Sequence, residues 1–259
     1  MKSSRYALVT GASRGIGQTF ARALAARSWN VIAVARTRDR LDRLARDLTS
    51  TFGVRAEAIA LDLIAPGAAG ELARQVSERD LDVDLLVNNA GHGDRGSFLK
   101  LSQYDQSNTV RLNTLALIEL THQFLPAMIA RRRGAVINVS STAGFQPMPY
   151  AAVYAATKAF VTSFSIALAE EVRAQGITVV TLCPGPTRTE TAARKISHSK
   201  FPGGLQPAEE VVEEALRRME FKGGLVVPRV INKVMAFSNR LMPLHVSAKV
   251  VARATRPQG

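Results

Sequence analysis

The chain has 259 residues, 46% of them hydrophobic and 21% charged, the balance of a globular protein with room for a sizeable core. Its one cysteine, Cys183, excludes an intramolecular disulfide and leaves no thiol cluster for zinc, and the apolar runs read as too interrupted, by Lys158 for example, to span a bilayer. The net charge of +13 suits a phosphate-rich partner or an anionic surface, but no zinc-finger spacing, aromatic RNA-binding pattern or base-reading helix accompanies it, so nucleic acid is not expected.

The chain opens on the strand-like run YALVT rather than on the charged head and long apolar stretch of a signal peptide, so its fold is expected to begin at once. Arg5 to Thr10 predicts a strand ending at Gly11; Gly15, Ile16 and Gly17 open a helix through Phe20, Leu24 and Ala25; Asn30 to Ala35 predicts a second strand. A helix from about Arg38 to Leu48 follows, then a strand at Arg55 to Leu61, a helix from about Ala68 to Val76 and a strand at Asp84 to Asn88. One long helical region from about Ser102 to Arg131 leads to the strand Ala135 to Ser140. The helix bearing Tyr154 runs to about Ala174, followed by the strand Thr178 to Leu182, a helix from Pro207 to about Met219 and a last strand near Leu225 to Pro228. This alternation implies the α/β class, a doubly wound parallel sheet of about seven strands with helices on both faces. No repeat or linker divides it, so residues 1–229 read as one domain and 230–259 as a basic amphipathic extension of it. Pro186 to Gln206, poor in periodic apolar residues, reads as a loop suited to a substrate lid.

Two stretches carry chemistry. The loop TGASRGIG places Gly11, Gly15 and Gly17 between a strand and a helix, with Ser13, Arg14 and Ile16 among them, where a backbone without side chains lets a pyrophosphate approach the helix N-terminus. The second strand ends on Ala35 and then Arg36, where an acid would favour a ribose hydroxyl. With Arg14 in the loop, that pattern predicts NADP(H) over NAD(H); the alternative is that these arginines are a solvated face. Further on, Tyr154 and Lys158 stand four apart on one helical face, so the ammonium is expected to lower the phenol's pKa and make the pair an acid–base catalyst, with the Ser141 hydroxyl arriving from a strand end.

The words VSS, YAATK, TGASRGIG, NNAG and CPGP together resemble the short-chain dehydrogenase/reductase family, densely from Tyr6 to Gly185 and weakly beyond. The resemblance implies a Rossmann-type fold and a ketone–alcohol oxidoreductase in which Ser141 and Tyr154 bind the carbonyl oxygen, Tyr154 gives the proton, and Lys158 also holds the nicotinamide ribose, with Asn113 in the proton relay. It implies further cofactor contacts at Asp62 and Leu63, at Asn89, Ala90 and Gly91, and at Pro184, Gly185, Thr187 and Thr189, and a homodimer or homotetramer built on the helices before Arg131 and after Tyr154. Phe145, Met148 and Tyr150 offer an apolar wall, so the expected substrate is a small apolar carbonyl compound or alcohol. The alternative is a regulatory or scaffold protein that binds NADPH without turnover, whose signature would be loss of a catalytic group. His92, His122, His198 and His245 share no ligand spacing, so no metal is expected.

After Glu220 no acidic residue occurs, while seven Lys or Arg alternate with Ile231, Val234, Met235, Leu241 and Met242. That stripe can pack on the substrate pocket or another subunit, the preferred reading, or touch an anionic membrane weakly. A cytoplasmic location, with peripheral membrane contact as the second reading, is expected.

Overall fold

Short runs of Val, Ile, Leu and Ala, each closed by a turn residue, have too few residues for a helix and form strands that can be buried on both faces. The computed structural model describes residues 5–190, 204–238 and 242–256. Its strands are β1 (Tyr6–Thr10), β2 (Asn30–Ala35), β3 (Ala56–Ala60), β4 (Val83–Asn88), β5 (Gly134–Val139), β6 (Ile177–Leu182), β7 (Thr187–Arg188), β8 (Gln206–Pro207) and β9 (Gly224–Val226). Seven form one parallel sheet in the order β3-β2-β1-β4-β5-β6-β9, and β7 pairs with β8 separately. The fold is Rossmann-type, as expected.

Alternate residues of each strand feed two cores. Ala7, Val9, Val31, Ala33 and Val87 pack on one face with α1 (Gly15–Ala25), α2 (Arg38–Phe52) and the later helix Ala208–Glu220. Leu8, Ile32, Val34, Leu86 and Val136 pack on the other with α3 (Ala68–Glu78), α5 (Ala116–Ala130) and α6 (Ala152–Val172). Between α3 and α5 lies α4 (Gln103–Val110), and the later helix just named is α7. The chain runs outward from β1 to β3 and then returns to β4 on the other side of β1. A crevice therefore opens at the carboxyl ends of β1 and β4, the place where such sheets bind ligands.

Four expectations are corrected. The helical region from Ser102 to Arg131 is not one helix: a π-helical turn at Arg111–Leu115 separates α4 from α5, centred on Asn113, whose side chain turns inward to bond other segments. α2 continues past Leu48 to Phe52 because the residue that can close it in the left-handed conformation is Gly53, at φ 68°. The last strand spans Gly224–Val226, since Pro228 can donate no ladder hydrogen bond. Finally, the helical stretch Ala152–Gln175 is long and apolar enough to span a bilayer by length and composition. Its polar side chains Thr157, Lys158, Thr162 and Ser165 are nevertheless buried, and its inner face lies against β6 in the fold.

Beyond β9, α8 (Val230–Ser238) and α9 (Leu244–Thr255) lie over the carboxyl edge of the sheet. Phe237 of α8 meets the Phe145 ring at 6.0 Å, and the Thr255 hydroxyl of α9 donates to the Pro149 carbonyl at 3.2 Å. Of the expected lid, the two ends form the β7–β8 pair, and its middle lies outside the described residues.

A buried amide network joins the layers below the crevice. Asn88 Nδ2 donates to Asn138 Oδ1 (2.9 Å) and to Thr121 Oγ1 (3.1 Å), and Asn138 Nδ2 donates to Ser165 Oγ (2.9 Å), tying β4, β5, α5 and α6. Asn138→Leu takes away one of the two acceptors of the buried Asn88 amide and the donor to Ser165, so urea denaturation should show a loss of about 1–3 kcal/mol in unfolding free energy with the m-value unchanged.

Candidate active site

The glycine loop closes β1 and opens α1 through contacts that only glycine allows. Gly11 and Gly15 sit at φ 67° and 57°, and a Cβ on Gly11 would lie 2.8 Å from Asn89 Nδ2. A Cβ on Gly17 would run into the Gly11 carbonyl and the Asn89 amide. Arg14 precedes α1 in extended conformation and no side chain caps the helix, so its first N–H groups can receive an anion. This backbone cradle fits the pyrophosphate of a dinucleotide, with Ser13 and Ile16 as partly buried walls. Thr10 joins the cradle to the NNAG turn: its hydroxyl donates to Val87 O and accepts from the N–H groups of Asn89 (3.0 Å) and Ala90 (2.9 Å), while Asn89 Nδ2 donates back to Thr10 O (2.8 Å). Ala35 is buried at the end of β2 and Arg36 is exposed beside it. Asp62 accepts the Ile64 N–H at 3.3 Å in the turn after β3, and Leu63 is buried next to it.

On the other side of the crevice the end of β5 presses on α6. Ser140 Oγ donates to the Lys158 carbonyl (2.7 Å) and shares a hydrogen bond with Thr162, and a Cβ on Gly144 would collide with the Lys158 backbone. The Ser141 hydroxyl accepts the Ala143 N–H (3.1 Å) and hydrogen-bonds the Tyr154 phenol. Lys158 is buried and its Nζ donates to Val139 O at 2.8 Å. Asn113 accepts the His92 N–H (2.9 Å) and donates to His92 O (2.8 Å) and Thr157 Oγ1 (2.9 Å), and Thr157 donates to Tyr154 O (2.7 Å). Gly91 lies between Asn113 and Lys158: a Cβ there would be 3.3 Å from Asn113 Oδ1 and 3.4 Å from Lys158 Nζ. The four expected catalytic residues thus form one continuous cluster.

The electrostatics differ from the expected pairing. Burial pushes the Tyr154 phenol above its ordinary pKa, against the hydrogen bond from Ser141 and the positive charge of Arg95, both of which favour the phenolate. Lys158 Nζ stands 5.8 Å from the tyrosine ring centroid, and burial lowers its own pKa to about 8. Four-residue spacing put the two side chains on one face, but α6 packs so tightly on β5 that both ionised forms are disfavoured. Cys183 is a buried thiol raised to about 11, which suits packing rather than attack.

The family model described as short chain dehydrogenase matches residues 5–200. The chain belongs to that family. A very-long-chain 3-oxoacyl-CoA reductase of Bos taurus is 33% identical over 217 residues, 82% of this chain and 67% of that protein. One from Pyrenophora tritici-repentis is 34% identical over 224 residues, 85% of this chain and 64% of that protein, so the chain spans about two thirds of these relatives. Among solved structures, a short-chain dehydrogenase from Sphingobium yanoikuyae in complex with NADPH superposes with a TM-score of 0.81 at 32% identity, covering 92% of this chain and 93% of that one. A bulky-bulky ketone specific alcohol dehydrogenase from Comamonas testosteroni gives 0.78 at 31% identity, with the same coverage. The short-chain dehydrogenase fold binds a nicotinamide cofactor.

Around this dehydrogenase site the other expected residues are placed unevenly. Phe145, Met148 and Tyr150 line the segment between β5 and α6; Tyr150 holds φ 65°, uncommon for a bulky residue, and its carbonyl accepts the Gly96 N–H at 2.8 Å. Pro184 accepts the Thr142 N–H (2.9 Å), and Gly185 is covered by the Asn232 side chain of α8. Thr187 turns inward, donating to Gly185 O (2.9 Å) and accepting from Gln206 (3.2 Å), whereas Thr189 comes against Gly15 of the cofactor loop. Among the described residues no three His, Cys, Asp or Glu side chains gather as a metal site.

Sequence reasoning missed the segment after NNAG. A Cβ on Gly93 would collide with the Tyr154 ring, and two residues on, exposed Arg95 brings its charge to bear on the phenol. Neither lies in one of the words that carry the family resemblance; only the fold puts the loop over α6. Arg95→Gln should move the alkaline rise of alcohol oxidation to higher pH by about half to one unit, because a cation that favours phenolate is gone, and Arg95→Lys should restore most of it. A kcat/KM profile from pH 6 to 11 measures this, and an unmoved profile removes Arg95 from proton transfer.

Proposed function

We propose that the protein is an NADPH-dependent reductase of bulky apolar ketones, running in reverse as an alcohol dehydrogenase. The observation that carries this is the cluster of Ser141, Tyr154, Lys158 and Asn113 facing a glycine cradle across the crevice. When bound, the reduced nicotinamide supplies the hydride that the carbonyl carbon accepts. Ser141 and Tyr154 offer two hydroxyls to the carbonyl oxygen, and Tyr154, kept protonated at neutral pH by burial, gives its proton as negative charge develops there. Lys158, tethered to Val139, holds a cation beside the resulting phenolate and would hold the cofactor ribose. Asn113 fixes His92 and Thr157, keeping the loop over Tyr154 in register, and stands in the path of proton return.

The substrate class is supported by the Phe145–Phe237 ring contact beside the site and by relatives named for very-long-chain 3-oxoacyl-CoA and bulky ketones. Preference for NADP(H) is supported by exposed Arg14 and Arg36, by Ala35 where an acid would sit, and by the neighbour in complex with NADPH. A homodimer or homotetramer is supported by Tyr104, Val110, Leu115, Phe160 and Ile166, which leave apolar surface exposed on α4, the π-helical turn and α6. A cytoplasmic location with peripheral membrane contact through residues 230–259 completes the reading.

NADPH oxidation against ketones of increasing apolar size tests the activity. Turnover should rise with chain length, and Tyr154→Phe should lower kcat by about 10³-fold while NADPH affinity changes less than about twofold. Unchanged turnover in that variant removes Tyr154 from the chemistry. In fluorescence titration NADPH should bind about tenfold or more tightly than NADH, and Arg36→Asp should erase the difference; equal affinities in the wild type overturn the cofactor assignment.

A further inference from the structure

The C-terminal helices leave apolar side chains in water. On α8, Val230, Val234 and Phe237 recur at positions i, i+4 and i+7 and are 73%, 58% and 40% exposed. On α9, Val246 and Val250 share the outward face with Lys249 and Arg253, while Ser247 is buried behind them. Residues 221–259 contain seven Lys or Arg and no Asp or Glu; Arg229 pairs with Glu210 of α7, while Lys249 and Arg253 stand exposed on α9. Exposed apolar rows bordered by one sign of charge are the pattern of a helix lying in a lipid headgroup layer. A second copy of the same face would bring like charge against like charge, so self-pairing here is opposed.

We propose that the outer faces of α8 and α9 form a docking surface for an anionic lipid bilayer. This deepens the peripheral contact read above by naming the faces that make it. The same two helices wall the substrate site: Phe237 packs on Phe145, Asn232 covers Gly185, and Thr255 hydrogen-bonds Pro149. Docking therefore sets the mouth of the site at the lipid surface, where a bulky apolar ketone partitions; this consequence rests on the substrate reading above. The surface lies outside the catalytic cluster, so it can be altered without touching the chemistry.

Flotation with vesicles of phosphatidylcholine alone or with 30% phosphatidylglycerol tests it on the full chain. The wild type should float with the anionic vesicles at low salt, bind them several-fold less at 0.5 M salt, and leave neutral vesicles unbound. Val234→Glu with Val250→Glu should weaken anionic binding by about tenfold or more, and turnover of a short water-soluble ketone should stay at the wild-type rate. That retained turnover shows that the variant is folded; circular dichroism and thermal melting show the same if no ketone is turned over. No flotation on anionic vesicles at low salt overturns the proposal, as does equal flotation of the double variant. So does light scattering in which the double variant dissociates an oligomer without changing vesicle binding, because the occupant is then a second copy. Vesicle binding without reduction of any ketone upholds the surface and sinks the functional reading instead, so the two failures are told apart.

Discussion

The burial of the Lys158 ammonium is the constraint on which the site depends. Nothing of opposite charge faces it among the contacts that hold it; it is stabilised by one carbonyl, Val139 O, and by being pressed between β5, α6 and the NNAG turn. An ammonium is tolerated in such a place only if the surrounding backbone cannot shift to expose it. Ser140 supplies that rigidity by binding the carbonyl of Lys158 itself, and Gly144 lets the 3-10 turn after β5 approach the same peptide. The tyrosine one turn earlier inherits its position from this packing. Burial raises its pKa, so it keeps its proton at neutral pH, as the role of proton donor proposed above requires.

The cofactor side is built by a different device. Thr10 at the end of β1 uses one hydroxyl as donor and double acceptor, so the glycine loop and the NNAG turn cannot move independently. Asn89 repeats the tie in the opposite direction. The two loops lie where the strand order reverses, and the sheet opens there without breaking a ladder hydrogen bond. Fixed walls on both sides suit the proposed function, in which hydride donor and proton donor would be oriented by the backbone rather than by flexible side chains.

The alternation of strands and helices, the glycine loop and the Tyr154–Lys158 face were legible because each rests on local rules: short apolar runs, glycine's access to φ above zero, four-residue spacing. The π-helical turn at Asn113 was not, because the composition of VRLNTLA is ordinary for a helix; the extra residue is set by hydrogen bonds to His92 and Thr157, distant in sequence. The direction of the tyrosine's pKa was misread for a related reason. Spacing tells which groups face the same way, whereas desolvation depends on what covers them, here the end of β5 and the Gly93 loop, which only the fold brings together.

The contact between Gly93 and the Tyr154 ring has a consequence for altering substrate scope. The loop from Gly91 to Ser97 borders the site and looks open to variation, yet any side chain at 93 would push the acid away from its partner hydroxyl on Ser141. Diversity introduced at Ser97 or Phe98 would reshape the rim, whereas diversity at 93 would be selected as loss of the enzyme. A library drawn on this loop would therefore appear intolerant as a whole unless position 93, with Gly91 between Asn113 and Lys158, were held fixed.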